Sequence, residues 1–259
     1  MANHLTVTCI QSNLVWENAV QNRINFEQKI DAIQEATDVI VLPEMFTTGF
    51  TMHPKALAED MDGKTVLWMK KIAQEKNSAI CGSIVIKEHN NYYNRFIFAT
   101  PKGEIHTYNK RHLFTLAGEH KQYKNDTSQV IITYKGWRIC PLICYDLRFP
   151  VWSRNTQNYD ALIYVANWPK PRINAWNTLL KARAIENMSY VIGVNRVGTD
   201  PNGNNYSGNS VIHDALGNNL CQLVEDDETA ISTTLVKDEL ATIREKFNFL
   251  NDKDTFTLM

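Results

Sequence analysis

The 259-residue sequence has no surplus of either charge: 27 Lys and Arg face 28 Asp and Glu. Nucleic acid and anionic membrane surfaces demand a basic excess, so neither is expected as a partner. Long apolar runs are also missing. The longest are of the length of Val39–Pro43 and Ala161–Ala166, far short of the ~20 residues that span a bilayer. Met1-Ala2-Asn3-His4-Leu5-Thr6 carries neither the basic start nor the apolar stretch of an export signal, and the expectation is a soluble cytoplasmic chain. Five cysteines (Cys9, Cys81, Cys140, Cys144, Cys221) are odd in number, scattered and without a CxxC pair. That usage predicts reduced thiols and excludes a disulfide framework. The seven histidines include no HExxH, and no second Cys/His pair accompanies Cys140 and Cys144. Neither structural zinc nor any other cofactor is expected. No linker, charge block or short repeat divides the chain, so residues 1–259 read as a single domain.

What is present is alternation. Leu5–Cys9 has period two and reads as a strand, and Trp16–Ala36 as a helix with Trp16, Val20, Ile24, Phe26, Ile30 and Ile33 as its apolar positions. Asp38–Pro43 is apolar throughout, as in a strand covered on both faces. Lys64–Lys76 reads as a second helix. Ala79–Lys87, Tyr92–Thr100 and Glu104–Tyr108 form a hairpin-like section, broken by Glu88-His89-Asn90-Asn91 and Pro101-Lys102-Gly103. Further strands are predicted at Val130–Tyr134, Trp137–Cys144, Ala161–Ala166, Tyr190–Arg196, Ser210–Asp214 and Ala230–Val236. A last helix is predicted over Lys237–Phe247. Such a mixture predicts an α/β fold with mixed sheets, packed together and each backed by helices.

Three strand ends carry reactive side chains. Cys144 closes Ile139–Ile143 and precedes the turn Tyr145–Pro150, a place where ligands collect in α/β sheets. Backbone N–H groups of that turn would lower its thiol pKa and face an oxyanion. Taken alone, a buried cysteine is usually a small core hydrophobe, and Cys9, Cys81 and Cys140 keep that reading. Glu44 follows Asp38–Pro43 and is flanked by Met45, Phe46 and Phe50. A partly desolvated carboxylate there suits a general base; the alternative is an exposed loop glutamate. Lys110 ends Glu104–Tyr108-Asn109 and suits a thiolate's cationic neighbour, or else belongs to a solvated basic cluster. Glu119 orients that lysine, hydrogen-bonds the neighbourhood of the thiol, or is an exposed turn residue.

Together, Leu42-Pro43-Glu44, Lys110-Arg111-His112-Leu113-Phe114 and Cys144-Tyr145-Asp146-Leu147-Arg148-Phe149-Pro150 resemble the three catalytic motifs of the nitrilase superfamily, in order and at compatible separations. Asn167-Trp168-Pro169 and Leu180–Asn187 extend the resemblance from about Thr6 to Leu235. It implies a four-layer αββα sandwich, paired into homodimers or higher homo-oligomers. It also implies a Glu–Lys–Cys triad. Glu44 is then the base, Cys144 the nucleophile that forms a thioester, and Lys110 with the backbone N–H of Tyr145 the oxyanion site. Glu119 matches the family's second glutamate.

Leu42–Phe50, Lys110–Phe114 and Ala117-Gly118-Glu119-His120 look most like bacterial omega-amidases, which act on 2-oxoglutaramate and succinamate. Those substrates carry a distal carboxylate and call for a cation, for which Arg172 is the candidate, with Trp168 and Phe50 as further substrate contacts. Arg148 is read as pairing with Asp146 or with a helix end. The other readings are a nitrilase or N-carbamoyl amide hydrolase of the same superfamily, and a non-catalytic binding protein on the same fold.

Overall fold

A computed structural model describes residues 2–258. In chain order it contains β1 (His4–Gln11), α1 (Ala19–Asp31), β2 (Val39–Val41), the single turn α2 (Pro54–Leu57), α3 (Lys64–Lys76), β3 (Ala79–Glu88), β4 (Asn91–Ala99) and β5 (Ile105–Asn109). Then follow β6 (Ile132–Tyr134), β7 (Trp137–Ile143), the single turn α4 (Pro150–Ser153), β8 (Ala161–Ala166), α5 (Ile173–Asn187) and β9 (Tyr190–Asn195). β10 (Val197–Thr199), β11 (Asn205–Ser207), β12 (Val211–His213), β13 (Thr229–Val236) and α6 (Lys237–Phe247) complete the chain. All eleven expected strands are present; the short hairpin β10–β11 was not expected.

Two mixed sheets result. One has the order β13-β1-β2-β3-β4-β5, the other β12-β9-β8-β7-β6. The central strands of each run parallel, β1-β2-β3 and β7-β8-β9. Side-chain alternation then builds the layers. Val39, Val41, Cys81, Phe96 and Phe98 share a core with Cys140, Leu142 and Ile163 of the other sheet. Ile40, Leu42, Ile80 and Ile97 point the opposite way, onto Phe26 and Ile30 of α1 and Val66, Met69 and Ile72 of α3. Trp176, Leu180 and Ala184 of α5 cover the far sheet. The architecture is the expected αββα sandwich, each sheet apolar on both faces because each has a layer on both sides.

The first helix departs from expectation in length and in face. It spans Ala19–Asp31, opened by Asn18, whose side chain accepts from Gln21 N. Val20 is 59% exposed and Ile24 45%, while Asn22, Phe26 and Ile30 face inward. The reason is polar: the buried Asn22 side chain bonds Val15 N, Val15 O and Thr47 O at 2.7–2.8 Å. Those three bonds fix the rotation of the helix and turn Val20 and Ile24 to solvent. No helix among the described residues is long and apolar enough to cross a membrane.

The α5 layer leaves no space above β9. A Cβ on Gly193 would lie 2.4 Å from Leu180 Cδ1 and 3.0 Å from Trp176 Cζ2. Gly193→Ala is expected to cost roughly 1–3 kcal/mol by overpacking, read as a lower denaturant midpoint at unchanged slope. An unchanged midpoint would show that α5 yields freely.

Candidate active site

The parallel strands deliver their C-terminal ends to one edge of the sandwich. β2 leads through Leu42-Pro43 to Glu44, β7 leads directly to Cys144, and β8 to Asn167; the last residue of β5 precedes Lys110. Backbone geometry turns sharply at two of these points. Met45 (φ 43°) and Cys144 (φ 44°) both occupy the left-handed region, which is costly for a side chain with a Cβ and persists only where the surroundings enforce it. Met45 is held because its N–H donates to Ser83 Oγ at 2.9 Å. At the cysteine, Asp146 does the holding: its carboxylate accepts from Ile143 N (3.0 Å), His112 N (2.9 Å) and Tyr108 Oη (2.8 Å). The same carboxylate therefore ties the Cys144 turn to the segment after Lys110.

Glu44, Lys110 and Glu119 meet with 0% exposure. Lys110 Nζ donates to Glu44 Oε1 at 2.8 Å and to both oxygens of Glu119 at 3.0 Å. Glu44 Oε2 accepts from Asn167 N at 2.8 Å, and its carbonyl from Asn167 Nδ2 at 2.6 Å. Glu119 Oε2 also accepts from Phe114 N at 2.5 Å. The readings of Glu44 and Glu119 as exposed, and of Lys110 as solvated, are thereby excluded. Cys144 is half-buried and lies in the field of all three groups. Among the described residues no group of three or more His, Cys, Asp or Glu is placed to hold a metal ion.

The electrostatics follow from burial. Burial alone would lower the Lys110 pKa, but the carboxylates of Glu119 and Glu44 outweigh it and hold the ammonium charged. Burial lifts the Glu119 carboxyl above its usual range, against the opposing pull of Lys110. Burial, then the charge on Glu44, push the Cys144 thiol well above its ordinary value, and Lys110 offsets them only in part. This corrects the expectation of a lowered thiol: near neutral pH the sulfur keeps its proton.

Above the cluster lies a cavity of about 230 Å³ whose lining includes Phe50, Lys110, Phe114, Cys144, Trp168, Arg172 and Tyr206. All three expected substrate contacts thus face it. Trp168 Nε1 donates to Arg172 O at 2.8 Å, and the Arg172 guanidinium lies 5.3 Å over the Phe114 ring. Among the described residues Arg172 has no ion-pair partner. Tyr145 packs edge-on against Phe114 and Phe149 at 5.0 and 5.1 Å. Arg148 does not pair with Asp146, whose oxygens are taken by the donors named above; it is exposed and stacks over Trp168 at 5.0 Å.

Sequence reasoning gave no role to Asn94, Asn167 or Tyr206. Asn94 shares a strand face with Phe96 and Phe98 and is the polar member of an inward row, a signal that was available. Asn167 follows an apolar run as Glu44 does. Tyr206 belongs to the unexpected hairpin and left no such mark.

Against known proteins, the carbon-nitrogen hydrolase profile matches residues 6–245. The chain belongs to that family, within the nitrilase superfamily. An omega-amidase of Escherichia coli K12, YafV, is 46% identical over 98% of this chain and 98% of its own length. A 2-oxoglutaramate amidase of Bacillus subtilis is 32% identical over 95% and 96%. The crystal structure of a CN-hydrolase superfamily protein from Xanthomonas campestris, described with an arsenic adduct in its active site, superposes with a TM-score of 0.97 at 38% identity, each chain covered in full.

Cys9, Cys81 and Cys140 are fully buried, whereas Cys144 and Cys221 are half-buried. Brief iodoacetamide treatment of the native chain, mapped by mass spectrometry, should therefore label only the latter two. Because the thiol is raised, the Cys144 rate should still climb about tenfold per pH unit around pH 9. A plateau reached near neutral pH would contradict the assignment.

Proposed function

We propose that this chain hydrolyses the omega-amide of short dicarboxylic acid monoamides such as 2-oxoglutaramate and succinamate, releasing ammonia through a thioester on Cys144. The observation that carries the reading is a buried Glu44–Lys110–Glu119 cluster beside a half-buried Cys144, in a small cavity that also holds an unpaired arginine. The names borne by the relatives support it. Glu44 takes the Cys144 proton, and the sulfur attacks the amide carbonyl. The Lys110 charge and the Tyr145 N–H stabilise the tetrahedral oxyanion. Glu44 then protonates the departing nitrogen, and water activated by the same carboxylate cleaves the thioester to carboxylate and free thiol. Glu119 holds Lys110 in place. Arg172 pairs with the distal carboxylate while Phe50, Phe114 and Trp168 enclose the methylene chain.

A substrate panel read as ammonia tests this. Succinamate should be turned over, a neutral amide of equal length far more slowly, and aliphatic nitriles or N-carbamoyl compounds not at all. Ammonia from the nitrile and none from succinamate would overturn the reading. Arg172→Ala should raise KM for succinamate about 10- to 100-fold, the loss of one charge-assisted pair, and leave the neutral amide nearly unaffected.

A homodimer belongs to the same proposal. Val151 on α4, Ile185 on α5 and Phe256 near the C-terminus are exposed apolar residues, and a surface hollow joins Val151 to Phe256. A second copy covering this face accounts for them. Light scattering should give twice the 29.7 kDa chain mass, and Val151→Asp should halve it; a wild-type monomer would remove the proposal.

A further inference from the structure

Asn94 lies in β4 with 0% exposure, and both hydrogens of its amide are directed at carboxylates. Nδ2 lies 2.8 Å from Glu44 Oε1 and 3.4 Å from Glu119 Oε1. Its backbone carbonyl accepts from Lys110 N at 3.0 Å. Its Oδ1 is buried without a hydrogen-bond partner. An orphaned buried acceptor destabilises a fold. Rotating the amide by a half-turn would give no relief, since it would place that oxygen between two carboxylates. The side chain is therefore held with its donors inward at the expense of its own acceptor.

We propose that Asn94 is a positioning residue that keeps Glu44 and Glu119 as two separate carboxylates and directs the Cys144 proton to Glu44 Oε2. Glu44 Oε1 accepts from both Lys110 and Asn94, which leaves it no capacity for a proton. Oε2 accepts from Asn167 N alone and retains a free lone pair. Without the amide, the two acids are neighbours in a buried site and share a proton readily, as close carboxyl pairs do. A Glu44 that already holds a proton cannot take one from sulfur. The other ionisable groups facing this site are Lys110, held charged, Arg172, whose guanidinium lines the cavity with Lys110 and Cys144, and Cys144, Tyr123 and Tyr206, whose burial keeps them neutral at working pH.

The inference rests on the amidase reading, so the test has one arm with substrate and one without. With succinamate, Asn94→Ala should lower kcat about 10- to 100-fold with KM within about threefold, and move the acid limb of kcat/KM up by roughly one pH unit. Asn94→Asp keeps the shape and sets three carboxylates against one ammonium, so its acid limb should move further. Without substrate, labelling is followed across the acidic to neutral range, where a shared proton makes the Asn94→Ala cluster carry one more proton than the wild type. Its Cys144 is then less opposed by negative charge, and iodoacetamide should label it several-fold faster although turnover is slower. A cavity effect alone predicts a lower melting temperature with neither the ordered pH shift nor faster labelling, and that result would overturn the proposal. Should wild type release no ammonia from any amide, the amidase reading fails while the labelling arm still decides the role of Asn94. If Asn94→Ala does not fold, the isosteric Asn94→Asp carries the test, and an unmoved acid limb there rejects it.

Discussion

Two carboxylates and one ammonium, all withdrawn from water, set the terms for everything around them. Removing each ion from solvent costs several kcal/mol, and mutual attraction offsets that only when the remaining polar valences are filled. Here they are. Lys110 reaches three carboxylate oxygens, Glu44 is also held by Asn94 and Asn167, and Glu119 by Phe114 N. The cluster behaves as one unit, because loss of any member strands the others without partners in a dry interior.

Only long-range folding can assemble it. Glu44 lies 66 positions from Lys110, 50 from Asn94 and 123 from Asn167, so no local segment can preform the site. The two sheets bring these residues together at strand ends, where the backbone leaves the ladder and side chains project past it. Asn94, by contrast, sits inside β4 and keeps its place through the strand ladder, its carbonyl receiving Lys110 N. Asp146 then couples the Cys144 turn to the lysine segment through His112 and Tyr108. The left-handed backbone at Cys144 is affordable because these contacts enforce it.

Much of this was legible in the residues. Apolar runs ending in a reactive side chain marked Glu44 and Cys144, and the order of the three motifs marked the family. What failed to show had physical causes. The face of α1 was misread because a buried Asn22 sets its rotation, and hydrophobic spacing is blind to a polar anchor. Arg148 was matched with Asp146 or a helix end by proximity in the chain, but that carboxylate was claimed by Tyr108 and His112 from across the fold and by the neighbouring Ile143 N. The shift of the Cys144 thiol was expected in the wrong direction because the turn N–H groups were counted and the burial and Glu44 charge were not. Asn94 could have been noticed on an otherwise apolar strand face, but its partners lie in segments that no periodicity connects to it.

The raised thiol bears directly on how a cysteine can serve as nucleophile here. A free thiolate beside this cluster would add a second excess negative charge to a buried site, and the site resists it. In the proposed mechanism the proton does not leave. It passes from Cys144 to Glu44, so thiolate, neutral carboxyl, ammonium and second carboxylate together carry the same net charge as thiol, carboxylate, ammonium and carboxylate did. The transfer needs no exchange with solvent, which suits a low-dielectric pocket where changes of net charge are costly. It also leaves the proton on the group that must deliver it to the departing nitrogen, so the burial that opposes a resting thiolate also conserves the proton for the second half of the reaction.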